Sequence, residues 1–208
     1  MQFSTSGAVI DGPLGTDRPN VLTFSGYYPM RWKGMETTLG LTQTVAQGTP
    51  KSTCISIVDS TSSCQYWGQR GDWANISRAA NGDLVLDSVD KGARMPLYTQ
   101  TDLNFGHSFH VSKTNEAMKL GFELNVSNLL NQHAVMSYNP NPLAQGNEFL
   151  TNSADHSLFM TGYDPLAKAN AEATDPTTPQ PRVLNSQYGK PWLFQGTRGM
   201  RMAVRFTF

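Results

Sequence analysis

Residues 200–208 read MRMAVRFTF, and the alternation in this stretch decides the predicted fold class. Successive side chains of a β-strand point to opposite faces, so a period of two predicts one apolar and one polar face. The polar face of this strand carries Arg201, Ala203, Arg205 and Thr207. The apolar face carries Met200, Met202, Val204, Phe206 and Phe208.

The same alternation recurs in four further stretches, which gives five predicted strands. These runs are 9 to 15 residues long. A tilted strand needs about 9–11 residues to cross a bilayer, whereas globular strands average about 5–6. Half-buried strands of soluble β-sandwiches also alternate, so the length rather than the alternation favours a membrane. The predicted strands span residues 21–32, 35–46, 97–111, 117–130 and 197–208.

The connections between these stretches are short and long in turn. Only Lys33 and Gly34 separate the first two strands, and about five residues separate the third and fourth. About 50 and nearly 70 residues fill the other two gaps. Outer-membrane barrels have short periplasmic turns and long external loops. We therefore expect an all-β, antiparallel, up-and-down transmembrane barrel with external loops at residues 47–96 and 131–196.

The long connections are rich in Gly, Pro, Asn and Ser, which predicts irregular loops, with a short helix at residues 167–173. Counting turns places the end of the first strand and Phe208 in the periplasm. Trp32, Phe206 and Phe208 then fall at one edge of the outward face, as an aromatic girdle requires. The loop rhythm and the aromatic positions therefore both favour the cell outer membrane.

Composition argues against an ordinary soluble domain. Of the 208 residues, 15% are charged, where soluble proteins carry about 25%. No window approaches the roughly 18 apolar residues of a membrane-spanning helix, so a membrane would be crossed by strands. The formal net charge is zero, which predicts no nucleic-acid partner. No cofactor is expected either.

Several motifs between residues 12 and 208 carry a family resemblance. They include Gly12-Pro-Leu-Gly-Thr-Asp-Arg-Pro19, Ala46-Gln-Gly-Thr-Pro50, Arg70-Gly-Asp-Trp73, Tyr98-Thr-Gln-Thr-Asp-Leu103 and Phe122-Glu-Leu-Asn-Val-Ser-Asn-Leu-Leu-Asn-Gln132. In order and spacing they resemble the C-terminal barrel of TonB-dependent outer-membrane receptors. The similar branch is the Oar-like group, whose members carry a carboxypeptidase-regulatory-like domain. Leu130 stands where Phe is commoner in the family's Asn-Leu-Phe-Asn pattern.

The resemblance implies a Gram-negative outer-membrane transporter with a plugged barrel of 22 strands. Energised uptake of an unknown small solute would depend on TonB acting through a plug that this chain lacks. The barrel-assembly machinery would read the terminal strand, from Met200 to Phe208, as an insertion signal. Five strands are too few to close, since bacterial barrels start at eight, and residues 1–10 carry no signal peptide. We therefore expect a fragment that contacts outer-membrane lipid and needs an N-terminal barrel and plug.

Six charged residues are predicted on the lumen-facing side of the strands. A glycosidase-like reaction would need two carboxylates at a fixed separation around a substrate. Charges that face a lumen instead pair between neighbouring strands, because the lipid face cannot hold them. We therefore expect ion pairs and no catalysis, with Arg201 and Arg205 also facing the plug of a whole receptor. The six residues are Glu36, Asp102, Lys119, Glu123, Arg201 and Arg205.

The long loops hold two further groups of candidates. Cys54 and Cys64 lie ten residues apart in a Ser/Thr-rich stretch. This spacing fits a disulfide in an oxidising compartment, and two free thiols are the alternative. Four loop aromatics are candidates for stacking on a sugar or peptide ligand, or equally for packing at the rim and outer girdle. They are Tyr66, Trp67, Trp73 and Tyr138.

The four histidines are not expected to bind a metal. Alternation places His107 and His110 on opposite faces of one strand, so these two cannot share an ion. His133 and His156 lie in loops without the close spacing of a zinc pair. Scattered polar surface is the simpler interpretation.

Two other architectures fit part of the pattern. A secreted or surface β-sandwich that binds a ligand, such as an adhesin, would explain the alternation and the loop aromatics. It would explain neither the rhythm of short and long connections nor the terminal aromatic, Phe208. A small porin assembled from several copies of the sheet is the other alternative, because one copy cannot close.

Overall fold

The chain divides into two compact units. The computed structural model describes residues 4–56, 64–112, 117–143, 161–173, 177 and 184–208. The loop unit consists of Met1–Asp17, Thr49–Met95 and Met136–Leu193. The sheet unit consists of Arg18–Gly48, Pro96–Val135 and Phe194–Phe208.

Strands dominate the described residues, with one short helix among them. In chain order the elements are β1 (Val21–Trp32), β2 (Met35–Ala46), β3 (Cys54–Ser56), β4 (Cys64–Tyr66), β5 (Trp73–Arg78), β6 (Leu84–Asp90), β7 (Tyr98–His110), β8 (Lys119–Ser127), β9 (Val135–Tyr138), α1 (Pro165–Glu172), β10 (Pro191–Phe194) and β11 (Gly199–Thr207). The pairs of the largest sheet and the pairs β3–β4 and β5–β6 are antiparallel. The prediction of an all-β fold with antiparallel sheets is thereby confirmed.

The sheet unit is built on one five-stranded sheet in the order β1-β2-β7-β8-β11. Strands β1 and β2 have the predicted bounds, and β7 and β11 begin and end within two residues of theirs. Strand β8 ends at Ser127 rather than at residue 130. It ends there because Asn128 has a φ of 52°, which lies in the left-handed region outside extended geometry.

The strand register separates the polar and apolar positions onto two faces. Glu36 lies opposite Ser108, Ser108 opposite Gly121, and Gly121 opposite Arg205. Directly opposed residues of an antiparallel pair share a face, so this row crosses four strands on one side. Four other charged residues lie an even number of positions along these strands and therefore share that face: Asp102, Lys119, Glu123 and Arg201.

The turn between β1 and β2 fixes where their register begins. Lys33 and Gly34 both have positive φ angles, of 45° and 79°. Positive φ at both central residues is the mark of a two-residue type I′ hairpin, whose twist matches that of the strands. His110 Nδ1 lies 2.6 Å from the carbonyl oxygen of Gly34, to which the ring N–H donates. The tip of this hairpin is therefore held by the end of β7.

The loop unit is a folded body, whereas composition led us to expect irregular loops. It contains the hairpins β3–β4 and β5–β6, the larger part of the β9–β10 pair, and α1. These elements surround a small apolar core drawn from distant parts of the sequence. Its buried residues are Ile55, Trp67, Ala74, Leu84, Leu143 and Leu166.

The β5–β6 hairpin has a local sequence signal. Its turn contains Asn81-Gly82, and Gly82 has a φ of 88°. The amide of Ala79 donates to the carbonyl of Asp83 at 2.8 Å, which closes the turn. Asn-Gly between alternating apolar residues is a strong hairpin signal, because both residues tolerate positive φ. The residues from Trp73 to Asp90 therefore form a hairpin that the sequence itself encodes.

Helix α1 packs against the start of β6. It begins two residues before the predicted helix, because the carboxylate of Asp164 accepts hydrogen bonds from the amides of Leu166 and Ala167. The side chain of Asn170 then accepts from the Leu84 amide and donates to the Leu84 carbonyl, both at 3.0 Å. One side chain thus satisfies both backbone groups of the first residue of β6.

A buried polar network ends strand β8 in the sheet unit. The side chain of Asn128 donates to the carbonyls of Gln132 and Gly196, both at 2.9 Å, and accepts from the Gln132 amide at 2.7 Å. The amide of Asn128 donates to the carboxylate of Asp102 at 2.8 Å. Asn128 therefore connects the ends of β7 and β8 to the segment that precedes β11.

We expect Asn128→Ala to lower the free energy of unfolding by about 4–5 kcal/mol. Three hydrogen bonds of a buried side chain are lost, at about 1 kcal/mol each, and a left-handed backbone costs Ala about 1–2 kcal/mol. Asn128→Gly should lower the free energy of unfolding less. It removes the same hydrogen bonds, but glycine adopts the left-handed backbone without strain. Urea unfolding followed by circular dichroism measures both variants.

Asn131 provides the matched control for this experiment. It has the same φ of 52°, but it is exposed and its side chain accepts one bond, from the Arg198 amide at 3.1 Å. Asn131→Ala should therefore cost less than Asn128→Ala. Equal losses in the two alanine variants would show that backbone strain, and not the network, carries the effect.

Candidate functional site

The apolar face of the five-stranded sheet carries exposed side chains on β1, β2, β8 and β11, whereas those of the central strand β7 are half-buried. Met202 is 80% exposed and Val204 67%. Monomeric soluble proteins rarely expose so continuous an apolar surface. The face is therefore suited to an apolar environment. Its other large exposed members are Leu22, Phe24, Tyr28, Met30, Trp32, Leu39, Leu41, Phe122, Met200 and Phe206.

Thr37 and His107 form a polar pair within this face. Thr37 and His107 are opposite one another in the β2–β7 register. The Thr37 hydroxyl and His107 Nδ1 are 2.8 Å apart, so each side chain satisfies the other. A hydrogen-bonded pair costs far less in an apolar environment than two unpaired groups.

Three aromatic side chains predicted at one edge lie at the same end of the sheet. Trp32 is the last residue of β1, beside the Lys33-Gly34 turn. Phe206 lies opposite Leu120, near the start of β8, and its ring centroid is 6.1 Å from that of Phe208. All three rings are at least half exposed.

Ion pairs form across the polar face, where alternation placed the charges. Arg31 Nη2 lies 3.2 Å from Glu36 Oε1, and Arg205 Nη2 lies 3.5 Å from Glu123 Oε1. Arg31 was not among the predicted lumen charges, although alternation along β1 places it on this face as well. Both pairs are exposed to water here, where such pairs contribute about 0–1 kcal/mol.

The other predicted lumen charges have different partners. The Asp102 carboxylate accepts hydrogen bonds from the Asn128 amide and from the Gln100 side chain. Lys119 and Arg201 form no ion pair with any described residue. The polar face therefore combines paired and unpaired charges.

A shallow trough of about 280 Å³ lies over the polar face between Glu36 and Glu123. Small residues form its floor, among them Gly106, Ser108 and Gly121. A Cβ atom on Gly106 would lie 2.5 Å from Thr38 Oγ1, so a larger residue at this position would have to displace Thr38. A side chain at position 106 would thus have to turn the Thr38 hydroxyl away.

The loop unit contains a second cluster, of aromatic rings around a lysine. Lys51 Nζ lies 3.7 Å from the ring centroid of Trp73 and 4.5 Å from that of Tyr138. Tyr188 stacks on Trp73, with 4.8 Å between centroids and 4° between planes. Burial lowers the pKa of the Lys51 ammonium, and the charge of Asp90 opposes this shift. Sequence reasoning missed Lys51 and Tyr188, which have no local motif.

The hydroxyl of Tyr188 is tied into the loop unit. It lies 2.7 Å from Thr53 Oγ1 and donates to the carbonyl of Ala74. Burial raises the pKa of Tyr188 above its ordinary value of 10.0, and the hydrogen bond with Thr53 opposes this rise. Burial likewise raises the pKa of Tyr163, whose hydroxyl donates to the Gln65 side chain at 2.5 Å.

The four loop aromatics predicted as ligand contacts divide into two pairs. Trp67 and Trp73 are buried, at 9% and 4% exposure, and Trp67 belongs to the core of the loop unit. Their rings therefore contact protein rather than solvent, which favours packing as their role. Tyr66 and Tyr138 are half-buried and keep accessible surface. Contact with a ligand stays a prediction for these two.

Cys54 is disulfide-bonded, and no cysteine is free in the part of the chain that the structure describes. The side chain of Cys64, its predicted partner, lies outside the described residues. The backbones of the two cysteines belong to the paired strands β3 and β4.

No metal site and no membrane-spanning helix occur in the described ranges. No group of three His, Cys, Asp or Glu side chains there could hold an ion. His110 bonds to Gly34, and His133 Nδ1 lies 2.6 Å from the carbonyl of Asn131. His156 lies outside the described residues. None of the described helices is long and apolar enough to cross a bilayer.

Comparison with known proteins gives no relative: no family model, curated protein or solved structure matches the chain. The resemblance to TonB-dependent receptors is therefore carried by the motifs alone. The function that this resemblance implies needs support from the two faces of the sheet and from the folded loop unit.

Stability should fall as pH rises above about 10, because two tyrosines are buried. Burial raises the pKa of Tyr163 and Tyr188, so the folded state keeps their protons while the unfolded chain releases them near its pKa of 10.0. The contribution of these groups is complete below that pH and is lost above it, since the unfolded state then binds fewer protons. Urea midpoints measured between about pH 9 and 11.5 should fall, and Tyr188→Phe should flatten the fall.

Tyr27→Phe is the control for this pH series. Tyr27 is 65% exposed on β1, so its variant should follow the unchanged chain. The lowered pKa of Lys51 acts in the opposite direction, so every variant in the series keeps Lys51. A fall of the same slope in Tyr188→Phe would contradict the assignment.

Proposed function

We propose that this chain is the C-terminal barrel segment of a TonB-dependent outer-membrane receptor that takes up a small solute. The segment supplies barrel wall, an external loop region and the assembly signal from Met200 to Phe208, and it is not catalytic. TonB acts only through a plug from another part of the receptor. Outer-membrane lipid and the barrel-assembly machinery are its direct partners.

The observation that carries this proposal is the exposed apolar face of the sheet. Hydrocarbon is the environment in which this surface costs nothing, whereas in water each exposed Å² of it costs about 25 cal/mol. The strands of the sheet have 9 to 13 residues, and about 9–11 cross a bilayer at a tilt. The length of the strands and the polarity of this face thus point to the same environment.

The opposite face supports a polar lumen. Its charges pair as Arg31 with Glu36 and Arg205 with Glu123. An outer-membrane barrel carries polar residues on its inner face and apolar residues on its outer face, in alternation along each strand. A soluble β-sandwich alternates in the same way, but it covers its apolar face with a second sheet, whereas Met202 and Val204 are exposed here.

The rim aromatics support this orientation. Trp32, Phe206 and Phe208 share the end of the sheet at which the short β1–β2 turn lies. Short turns are periplasmic in outer-membrane barrels, and aromatic residues ring both interfaces. In this proposal the long connections, residues 47–96 and 131–196, are the external loops at which a solute is first bound.

Two neighbouring residues of β11 test the proposal. Met202 lies opposite Leu124 on the apolar face, and Ala203 lies opposite Glu123 on the polar face. A lysine on the lipid face costs about 2–4 kcal/mol near the bilayer centre, so Met202→Lys should weaken membrane association about 30-fold or more. Flotation of the chain with phosphatidylcholine vesicles measures the bound fraction.

Ala203→Lys is the matched control, because it adds the same charge one position away. It should leave vesicle binding close to that of the unchanged chain. If the unchanged chain stays in the soluble fraction and neither variant alters its behaviour, the sheet does not face lipid. The alternative of a soluble β-sandwich that binds a ligand would then replace the transporter.

A further inference from the structure

Arg70 in the loop unit has polar groups that no described residue uses. It lies in the turn between β4 and β5, within the motif Arg70-Gly-Asp-Trp73. Its Nε is buried and has no hydrogen-bond partner, and no other described side-chain atom shares this condition. No ion pair joins its guanidinium to a described residue. A buried N–H without a partner is costly, because its bonds to water have been lost without replacement.

A tyrosine ring lies beside this guanidinium. The central carbon of the Arg70 guanidinium is 5.7 Å from the ring centroid of Tyr66. Tyr66 is half-buried, and its hydroxyl makes no hydrogen bond with a described residue. A guanidinium over an aromatic face keeps its hydrogen-bonding edge available, because the ring interacts with its flat side. A guanidinium without an ion pair to any described residue thus lies beside the ring of a tyrosine.

The neighbouring carboxylates do not neutralise Arg70. Asp72 Oδ2 accepts a hydrogen bond from the Gln69 amide at 2.9 Å, and Asp11 Oδ1 accepts from the Gly12 amide at 2.7 Å. Each carboxylate thus bonds a backbone amide of its own turn, and neither forms an ion pair with the Arg70 guanidinium.

The backbone at Arg70 is held in place from several directions. The Gly71 amide donates to Ser52 Oγ at 2.8 Å, and the Arg70 amide donates to the Asp11 carbonyl at 3.4 Å. A Cβ atom on Gly12 would lie 2.9 Å from the Arg70 carbonyl oxygen, so glycine is needed for this close approach. Such fixed surroundings lower the entropy that binding would cost.

We propose that Arg70 and Tyr66 form a binding site for an oxyanion, the carboxylate or phosphate group of a solute. The planar fork of arginine matches both groups and binds them through charge-assisted hydrogen bonds. Nε is enclosed while the residue as a whole is half-buried. The anion therefore approaches the guanidinium from its solvent-accessible side, where the outer nitrogens can donate to it. The inference that a transported solute carries such a group rests on the proposed function. The existence of the anion site does not.

Titration of the 15N-labelled chain in detergent micelles tests the site. The Arg70 Nε–H resonance is the arginine signal that disappears in Arg70→Lys. Sodium phosphate and sodium acetate are added at constant ionic strength, with sodium chloride as the reference. We expect a saturable shift of the Arg70 signal beyond that of every other arginine. A larger response to acetate assigns a carboxylate, and a larger response to phosphate assigns a phosphate group.

Two substitutions that each remove one positive charge complete the experiment. Arg70→Gln should weaken the binding measured by calorimetry by about tenfold or more, because charge-assisted hydrogen bonds are lost. Lys91→Gln, at an exposed position of the same unit, should change the affinity less than about twofold, since water and salt screen the charge of an exposed lysine. Equal losses of affinity in both variants would overturn the site. An Arg70 Nε–H signal that keeps the position it has in sodium chloride would also overturn it.

The unchanged chain decides the question even if Arg70→Gln fails to fold, because the titration needs no variant beyond the assignment. It also separates the two proposals. Vesicle flotation reports on the sheet, and the titration reports on the loop unit. A chain that binds phosphate at Arg70 but does not associate with lipid would retain the site and contradict only the transporter.

Discussion

The sheet unit depends on a pairing register in which residues of like polarity lie opposite one another. Backbone hydrogen bonds alone do not choose this register, because the ladder repeats every two residues. A slip of one residue would move every side chain of a strand to the other face. Glu36 would then leave the polar row shared by Ser108 and Arg205 and enter a row of apolar side chains. The two-residue turn at Lys33-Gly34, held by His110, prevents this slip between β1 and β2. The separation of a charged face from an apolar face therefore follows from a small number of local contacts.

The five long strands could be predicted because a period of two is a property of each strand by itself. No distant contact is needed to recognise it, and β1 and β2 have their predicted bounds for this reason. The end of β8 was missed because it depends on Asn128, whose left-handed backbone is stabilised by bonds to Gln132 and Gly196. The core of the loop unit could not be predicted either. Ile55, Leu143 and Leu166 are far apart in the sequence and carry no shared period. Local signals existed only for helix α1 and for the β5–β6 hairpin, which contains Asn81-Gly82.

The candidate residues divide in the same way. Alternation shows on which face of the sheet each charged residue lies, and the same rule would have added Arg31 to the predicted lumen charges. The accessibility of the loop aromatics does not follow from any local pattern. Trp73 is buried because Tyr188, more than a hundred residues away along the sequence, stacks on it. Tyr66 keeps exposed surface beside Arg70, whose Nε has no hydrogen-bond partner among the described residues. A sequence can thus show which residues could contact a ligand, while tertiary contacts decide which of them still can.

The number of strands in the sheet has a consequence for whatever lies beside it. With five antiparallel strands, the two edge strands β1 and β11 run in the same direction. Two copies of the sheet with the same orientation in a membrane would therefore meet in parallel at any edge. Antiparallel pairing at both edges instead requires an odd number of added strands, of which the first and the last run opposite to β1 and β11. If the sheet closes into a barrel, this parity argues against a ring of identical copies and calls for a second, different set of strands.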